Sequence, residues 1–75
     1  MKTEKEYTAT ICRNLRRILA EEEITQVMLA EWTGIPKSVV GCVATGTRSV
    51  SAVKLYKIAQ ALRRPMDEFF KEDQP

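Results

Sequence analysis

The chain of 75 residues lacks histidine, contains only two cysteines, and has apolar runs of only a few residues. Without histidine it lacks the commonest side chain for acid–base catalysis and a common metal ligand. Cys12 and Cys42 are too far apart to form a C-x-x-C zinc or redox motif. The short apolar runs predict neither a transmembrane helix nor a signal peptide, so a cytoplasmic location is expected. These absences favour a binding module over an enzyme, and we predict no catalytic residue, metal ligand, cofactor or small-molecule substrate.

Acidic side chains are missing from the middle of the chain. Residues 32–66 contain six basic side chains and no Asp or Glu. Residues 1–31 contain five basic and six acidic side chains, and residues 67–75 contain one basic and four acidic ones. A purely basic segment between two mildly acidic ends is typical of a surface that binds a polyanion. The alternative is a solvated surface whose counter-charges come from elsewhere in the fold.

Length and composition indicate one small globular domain. A chain of this length can fill only one hydrophobic core. Apolar residues make up 44% of it and charged residues 29%, which is typical of a folded soluble protein. We predict a single domain over residues 1–75, with its core formed from about residues 7–70 and a frayed tail over residues 71–75.

Apolar residues recur at helical spacing along the whole sequence, and no stretch has the alternation of a strand. In the first predicted helix, Tyr7, Ile11 and Leu15 begin one apolar stripe. The sequence therefore predicts an all-α chain of five helices. Their predicted ranges are Glu4–Glu22, Gln26–Thr33, Pro36–Ala44, Ala52–Leu62 and a last short turn opened by Pro65.

Several helix boundaries follow from capping residues. The hydroxyls of Thr25 and Ser51 can accept a backbone N–H at the start of the second and fourth helices. Gly34 can end the second helix in the left-handed conformation, and the fixed φ of Pro36 suits the first turn of the third.

The second and third helices are joined by Thr33-Gly34-Ile35-Pro36, which predicts a helix-turn-helix. A tight turn with glycine holds two helices at a steep angle, so the second of them can enter the ~12 Å wide major groove of DNA. Such a pair cannot bury its own apolar surface, so the flanking helices must complete the core.

These residues resemble the phage-repressor and Cro-type (XRE-like) helix-turn-helix family. The stretch Thr25-Gln26-x-x-Leu29-Ala30-Glu31-x-x-Gly34-Ile35 is similar to the family's second helix. Further matches are Val43, Gly46 and Arg48 in the turn after the recognition helix, Leu55-x-x-Ile58-Ala59-x-Ala61-Leu62 in the fourth helix, and Asp67-Glu68-Phe69-Phe70 in the fifth. The resemblance covers about residues 10–70 and implies a compact, lambda-repressor-like DNA-binding domain.

The resemblance also implies a role in DNA binding for seven residues. Gln26, at the amino end of the second helix, would clamp a phosphate. Three residues of the third helix would face base edges: Lys37, Ser38 and Cys42. Three residues of the following loop would contact the opposite phosphate backbone: Thr45, Thr47 and Arg48. Purely structural roles stay open, as a cap or solvated amide for Gln26, an exposed loop charge for Arg48, and helix-end roles for Ser38 and Thr45.

The third helix departs from the family at Gly41 and Cys42, where long polar side chains are usual. Only Lys37 can then make a strong donor contact to guanine, which provides ~1–3 kcal/mol of discrimination. We therefore expect a weaker or more shape-based readout, with much of the affinity coming from phosphate contacts. A module that no longer binds DNA stays open as well.

The function that the resemblance implies is sequence-specific, DNA-binding transcriptional regulation. A homodimer on double-stranded DNA would place two recognition helices about 34 Å apart. The alternative is a protein–protein interaction module of the same fold, antitoxin-like or partner-binding, with weak or no DNA binding. Binding to random DNA at low salt separates the two.

Five further side chains have more than one possible role. Trp32 either covers the edge of the core beside the first helix, which we favour, or lies in a subunit interface. One of Phe69 and Phe70 should fill the core, and the other, if exposed, would suit dimerisation. We expect Cys12 and Cys42 to be reduced thiols, with oxidation of Cys42 as an alternative that would block the DNA face.

Overall fold

A computed structural model describes residues 2–72 and contains helices only, with no strand in that range. The elements are α1 (Glu4–Glu22), α2 (Gln26–Thr33), α3 (Lys37–Thr45), α4 (Ala52–Leu62) and a 3-10 helix (Met66–Phe70). The predicted all-α fold is confirmed. The fifth helix differs in being a 3-10 helix, because its turn closes through bonds between residues three apart. One such bond runs from the Glu68 N–H to the Pro65 carbonyl at 3.1 Å.

A capping box starts α1. The Thr3 hydroxyl accepts the backbone N–H of Glu6 at 3.2 Å, and the Glu6 carboxylate accepts the backbone N–H of Thr3 at 2.9 Å. The bond from the Thr3 N–H lowers the pKa of Glu6, because it favours the charged carboxylate. The helix begins at the predicted residue, but the sequence prediction had not identified this cap.

The predicted boundaries of α2 and α4 are confirmed. The side chains of Thr25 and Ser51 each accept the backbone N–H of the residue three positions later. Gly34 ends α2 with φ at 76°. The α3 helix differs from the prediction by one residue at each end, because Pro36 is the residue before the helix and Thr45, not Ala44, is its last residue.

One hydrophobic core joins all five elements. The α1 helix packs against α3 and the 3-10 helix, and α2 packs against α3 and α4. Every element supplies at least one of the largest fully buried side chains, which are Leu15, Ile18, Leu29, Val40, Ile58 and Phe69. Because α2 and α3 are fixed to the core by their inner faces, their outer faces are open to solvent.

Tyr7 and Phe70 form an aromatic pair at the surface. The prediction that Tyr7 joins the buried stripe of α1 is wrong, because its side chain is 41% exposed and lies one turn before Thr10 and Ile11, the first buried residues of the helix. Its ring meets that of Phe70 edge-on, with centroids 6.3 Å apart. Phe69 is fully buried and Phe70 is 40% exposed, so the expected division between these two residues is confirmed.

Trp32 is 51% exposed at the carboxyl end of α2. It lines a groove together with Tyr56 and Ala61 of α4. It also lines a depression with Glu22 at the end of α1 and with the buried Leu62. The side chain therefore lies at the edge of the core between α1 and α4, but about half of its surface stays in solvent, so it does not seal that edge.

The predicted tail lies only partly within the described range. Lys71 and Glu72 are exposed, and residues 73–75 are outside it. Between residues 2 and 72, no helix has both the length and the apolar character that a membrane crossing requires.

Candidate nucleic-acid interface

The outward side of α3 is polar and accessible. Lys37 and Ser38 are exposed in the first turn, and Cys42 is half-buried in the next. The opposite side of the helix is buried through Val40 and Val43. No acidic residue occurs in the helix. The three residues predicted to face base edges thus lie on a helix surface that a large anionic partner can reach.

The amino end of α3 favours negative charge. Pro36 precedes the helix and supplies no side-chain cap, while its carbonyl accepts the N–H groups of Val39 and Val40. The N–H groups of Lys37 and Ser38 come before these bonds, at the helix start where no intrahelical acceptor exists. Together with the Lys37 ammonium group, these donors make a favourable position for an anion.

Gln26 lies against α3 at Gly41. The Gln26 Oε1 atom is 3.4 Å from the position that a Cβ would occupy on Gly41. A Cβ at this position would be in van der Waals contact with the Gln26 amide, and a longer side chain would crowd it. Gly41, which weakens base readout in the sequence prediction, therefore lets the first residue of α2 approach the middle of α3.

The loop after α3 is tied to the end of that helix. The Thr45 hydroxyl donates to the Gly41 carbonyl at 2.9 Å, and the Thr47 hydroxyl donates to the Cys42 carbonyl at 3.3 Å. Arg48 is exposed next to them. The helix-end role that the sequence left open for Thr45 is therefore present. A shallow groove of about 300 Å³ joins this loop to α1, and its lining includes Thr47, Arg48 and Lys5.

A larger groove of about 1270 Å³ lies between α1, the amino end of α2 and the carboxyl end of α3. It brings Gln26 and Thr45, two predicted DNA contacts, to one concave surface. Its lining also includes four basic side chains of α1 that the sequence prediction did not assign: Lys5, Arg13, Arg16 and Arg17. Glu23 is the one acidic residue in this lining, so the lining of the concave surface on α1 is positive on balance.

The sequence contained a signal for these basic side chains of α1. Residues 1–31 have a net negative charge, which hides the position of their cations. Lys5, Ala9, Cys12 and Arg16 follow one another at helical spacing, so they form a second stripe on α1. Arg16 is exposed and makes no ion pair within residues 2–72. Arg13 is partly engaged, since its guanidinium donates to the Lys71 carbonyl at 3.3 Å.

Carboxylates at the carboxyl end of α1 and in the 3-10 helix form ion pairs with Arg64 and with Arg17 of the groove lining. The Arg64 guanidinium pairs with Glu22 at 2.6 Å, with Glu21 at 3.4 Å and with Glu68. These contacts raise the pKa of Arg64, with the hydrogen bond to Glu22 as the largest cause. Arg17 pairs with Glu21 at 3.3 Å and Glu68 at 3.5 Å. Counter-charge from elsewhere in the fold, the alternative left open by the sequence, thus applies to Arg64.

Both cysteines are free thiols with different surroundings. Cys12 is buried, and its Sγ atom donates to the Ala44 carbonyl at 2.9 Å. It lies beneath Gly46, whose Cβ position would be 3.4 Å from that sulfur. Cys42 is half-buried on α3. Only Cys42 belongs to the predicted base-facing set.

The α2–turn–α3 unit, fixed on a helical core, defines a helix-turn-helix domain. The sequence model of the helix-turn-helix family HTH_3 matches residues 15–69. Since this match spans most of the chain, the protein belongs to that family. The resemblance to the phage-repressor and Cro-type proteins is thereby confirmed.

A solved structure has the same fold. The crystal structure of an HTH_3 family transcriptional regulator from Vibrio cholerae is similar over 91% of this chain, with a TM-score of 0.86 and 25% sequence identity. The chain spans only 38% of the length of that protein chain. No curated protein sequence matches it significantly.

Proposed function

We propose that this chain is a DNA-binding transcriptional regulator with α3 as its recognition helix. The observation that carries the proposal is the accessible side of α3, with Lys37, Ser38 and Cys42, next to the basic groove that contains Gln26. Membership of the helix-turn-helix family and the likeness to a transcriptional regulator support the same function.

In this proposal, α3 enters the major groove and reads a short sequence. Lys37 donates to the O6 and N7 acceptors of guanine, and Ser38 bonds to a neighbouring base edge. Cys42 offers a small apolar surface to a thymine methyl group. Lys37 is the strongest of the three determinants, so discrimination between sequences is concentrated at one base pair.

Phosphate contacts provide most of the affinity. Gln26, Lys5 and Arg16 bind the backbone along the larger groove, where Thr45 also lies. Thr47 and Arg48 bind the opposite backbone. Each phosphate neutralised by a cation releases a counterion, so the affinity falls steeply as salt is raised.

In this proposal residues 1–75 form a single domain that works in the cytoplasm. The regulator binds a partly palindromic site as a homodimer. Dimers of this class place two recognition helices about 34 Å apart, one turn of DNA. The exposed Tyr7–Phe70 pair offers an apolar contact for such a dimer. Sedimentation of the protein on a selected duplex should give two chains per site, and one chain per site would exclude the dimer.

The experiment is selection of bound duplexes from a random library, followed by fluorescence anisotropy on the selected duplex at several salt concentrations. Lys37→Ala should weaken binding to the selected duplex by about tenfold and relax the preference at one base pair. Arg16→Ala and Arg48→Ala should weaken binding to all duplexes and lower the salt slope by about one each.

Lys57→Ala is the matched control, because Lys57 is an exposed lysine on α4 and outside the proposed contacts. It should leave DNA affinity unchanged. If Lys37→Ala and Arg48→Ala both bind like the unmodified protein, or if no duplex is bound at low salt, the proposal is wrong.

A further inference from the structure

A second surface, the aromatic groove, lies between α2 and α4. It is formed by Trp32 at the end of α2 and by Tyr56, Gln60 and Ala61 of α4. Trp32 is 51% exposed and Tyr56 is 53% exposed. The groove has a volume of about 360 Å³, and a neighbouring depression of about 380 Å³ shares Trp32 and Ala61 with it. None of the seven predicted DNA contacts lines either of them.

The α4 helix has apolar residues on two sides. Leu55, Ile58, Ala59 and Leu62 are buried in the core, as an amphipathic helix requires. Val53, Tyr56 and Gln60 follow at spacings of three and four residues on another face, where Val53 is 67% exposed. The core does not use this second face. Tyr56 of this face lines the aromatic groove with Trp32, which places two exposed aromatic side chains side by side, a feature that marks interaction sites.

The rim of the aromatic groove is basic. Lys57 lines the groove and Arg63 lines the neighbouring depression. Both are exposed, and neither has an ion-pair partner within residues 2–72. Glu22 is the one carboxylate among the lining residues, and it is held by Arg64 at 2.6 Å. An uncompensated positive rim around two aromatic rings selects an occupant that carries both negative charge and apolar side chains.

We propose that the aromatic groove binds an acidic, apolar segment of a partner protein, such as one face of an amphipathic helix rich in Asp and Glu. Apolar side chains of the segment pack on Trp32 and Tyr56, and its carboxylates pair with Lys57 and Arg63. This proposal does not rest on DNA binding, because the groove and the DNA face share no lining residue.

A second copy of this chain fits the groove less well. A two-fold contact places the same surface of both copies face to face. Such a dimer would bring four unpaired cations, Lys57 and Arg63 of each copy, into one interface, and like charges at an interface oppose association. Charge complementarity therefore favours a partner of different sequence and opposite charge.

Trp32 is the only tryptophan of the chain, so its fluorescence reports on this groove directly. The test titrates the whole protein with a synthetic amphipathic helix of Glu and Leu residues and with the same peptide carrying Lys in place of Glu. The Glu peptide should shift the emission of Trp32 to shorter wavelength and bind saturably, and the Lys peptide should not. Raising the salt concentration should weaken the binding of the Glu peptide.

Two variants separate the groove from the fold. Lys57→Glu should weaken binding of the Glu peptide by about tenfold, while the circular dichroism spectrum and DNA affinity stay unchanged. Tyr56→Ser should weaken both the affinity and the emission shift. Arg63→Glu should weaken binding as Lys57→Glu does. It places a glutamate at φ 57°, the same left-handed value that Glu23 already has in this protein.

Four results would overturn the proposal. The first is equal binding of the two peptides, and the second is no binding of either. A shift of Trp32 emission that depends on protein concentration alone would assign the groove to a second copy. Quenching of Trp32 by duplex DNA would assign it to the nucleic acid.

Discussion

The side-chain amide nitrogen of Asn14 lies 2.9 Å from the carbonyl oxygen of Phe69, although the two residues are 55 positions apart. The same nitrogen lies 3.1 Å from the carbonyl oxygen of Thr10 and 3.0 Å from that of Lys71, so its two N–H groups are shared among three acceptors. Asn14 is buried among the core residues of α1. This buried side chain therefore joins the end of the 3-10 helix to the first helix, beside the fully buried Phe69.

Replacing Asn14 by Leu should reduce the free energy of unfolding by about 1–3 kcal/mol. The Phe69 carbonyl would stay buried without its donor, which costs more than the loss of an exposed bond. Urea denaturation measures the change. Gln60→Leu is the control, because Gln60 is an exposed amide on α4. Equal stability of both variants would contradict the role given to Asn14.

Replacing Glu23 by Gly should stabilise the protein by about 0.5–1 kcal/mol. Glu23 ends α1 with φ at 57°, a conformation that strains a residue with a Cβ and that glycine adopts readily. The substitution also removes a negative charge from the carboxyl end of the helix. Thermal unfolding measures the gain as a rise of several degrees in Tm.

Gly34→Ala tests the same argument in reverse. A Cβ on Gly34 would have no heavy atom within 4 Å, so backbone strain at φ 76° alone should lower stability, by about 1 kcal/mol. Glu31→Gly, in the interior of α2, should also destabilise, since glycine is a poor helix former. A neutral Gly34→Ala together with a destabilising Glu23→Gly would contradict the strain assignment.

Gly41→Leu should lower DNA affinity while the fold is kept. The Gln26 amide oxygen is 3.4 Å from the Cβ position on Gly41, so we expect the atoms of a leucine beyond Cβ to crowd the amide and move it. The loss should be similar to that of Gln26→Ala, and the double variant should lose little more, because both changes remove one contact. Anisotropy on the selected duplex gives the three affinities. Additive losses would show that the two positions act independently.

The capping box should make stability depend on pH through Glu6. Its pKa is lowered in the folded chain by the backbone N–H of Thr3, so the stabilisation is present above the ordinary pKa of 4.5 and is lost as the pH falls through the folded value. The unmodified protein should therefore be more stable than Glu6→Gln at pH 7, and the difference should shrink at pH 3. Urea midpoints of both proteins at both pH values measure it. A difference that does not change with pH would contradict the prediction.

The helix ends were predictable from sequence because their causes are local. The Thr25 and Ser51 hydroxyls and the φ of Gly34 each act within one turn of the chain. Tyr7 was placed wrongly, and Trp32 is more exposed than expected, because helical spacing says which side of a helix a residue is on but not how far the core extends along it. Their exposure depends on where α4 and the 3-10 helix end in space.

The candidate site was predictable in part for a similar reason. Lys37, Ser38 and Cys42 share one helix, so their common side follows from the sequence. The contributions of Lys5 and Arg16 depend on how α1 lies beside α3, which is set by the packing of the core. The ion pair between Arg64 and Glu22 joins residues that are 42 positions apart, so no short stretch of the sequence indicates it.

Under the proposed function, the proximity of Gln26 to Gly41 would limit how α3 can diversify. A larger residue at position 41 would crowd a proposed phosphate contact, so new DNA preferences would be expected to arise at positions 37, 38 and 42. Directed evolution toward a different DNA sequence should therefore accumulate substitutions at those three positions and retain the glycine between them.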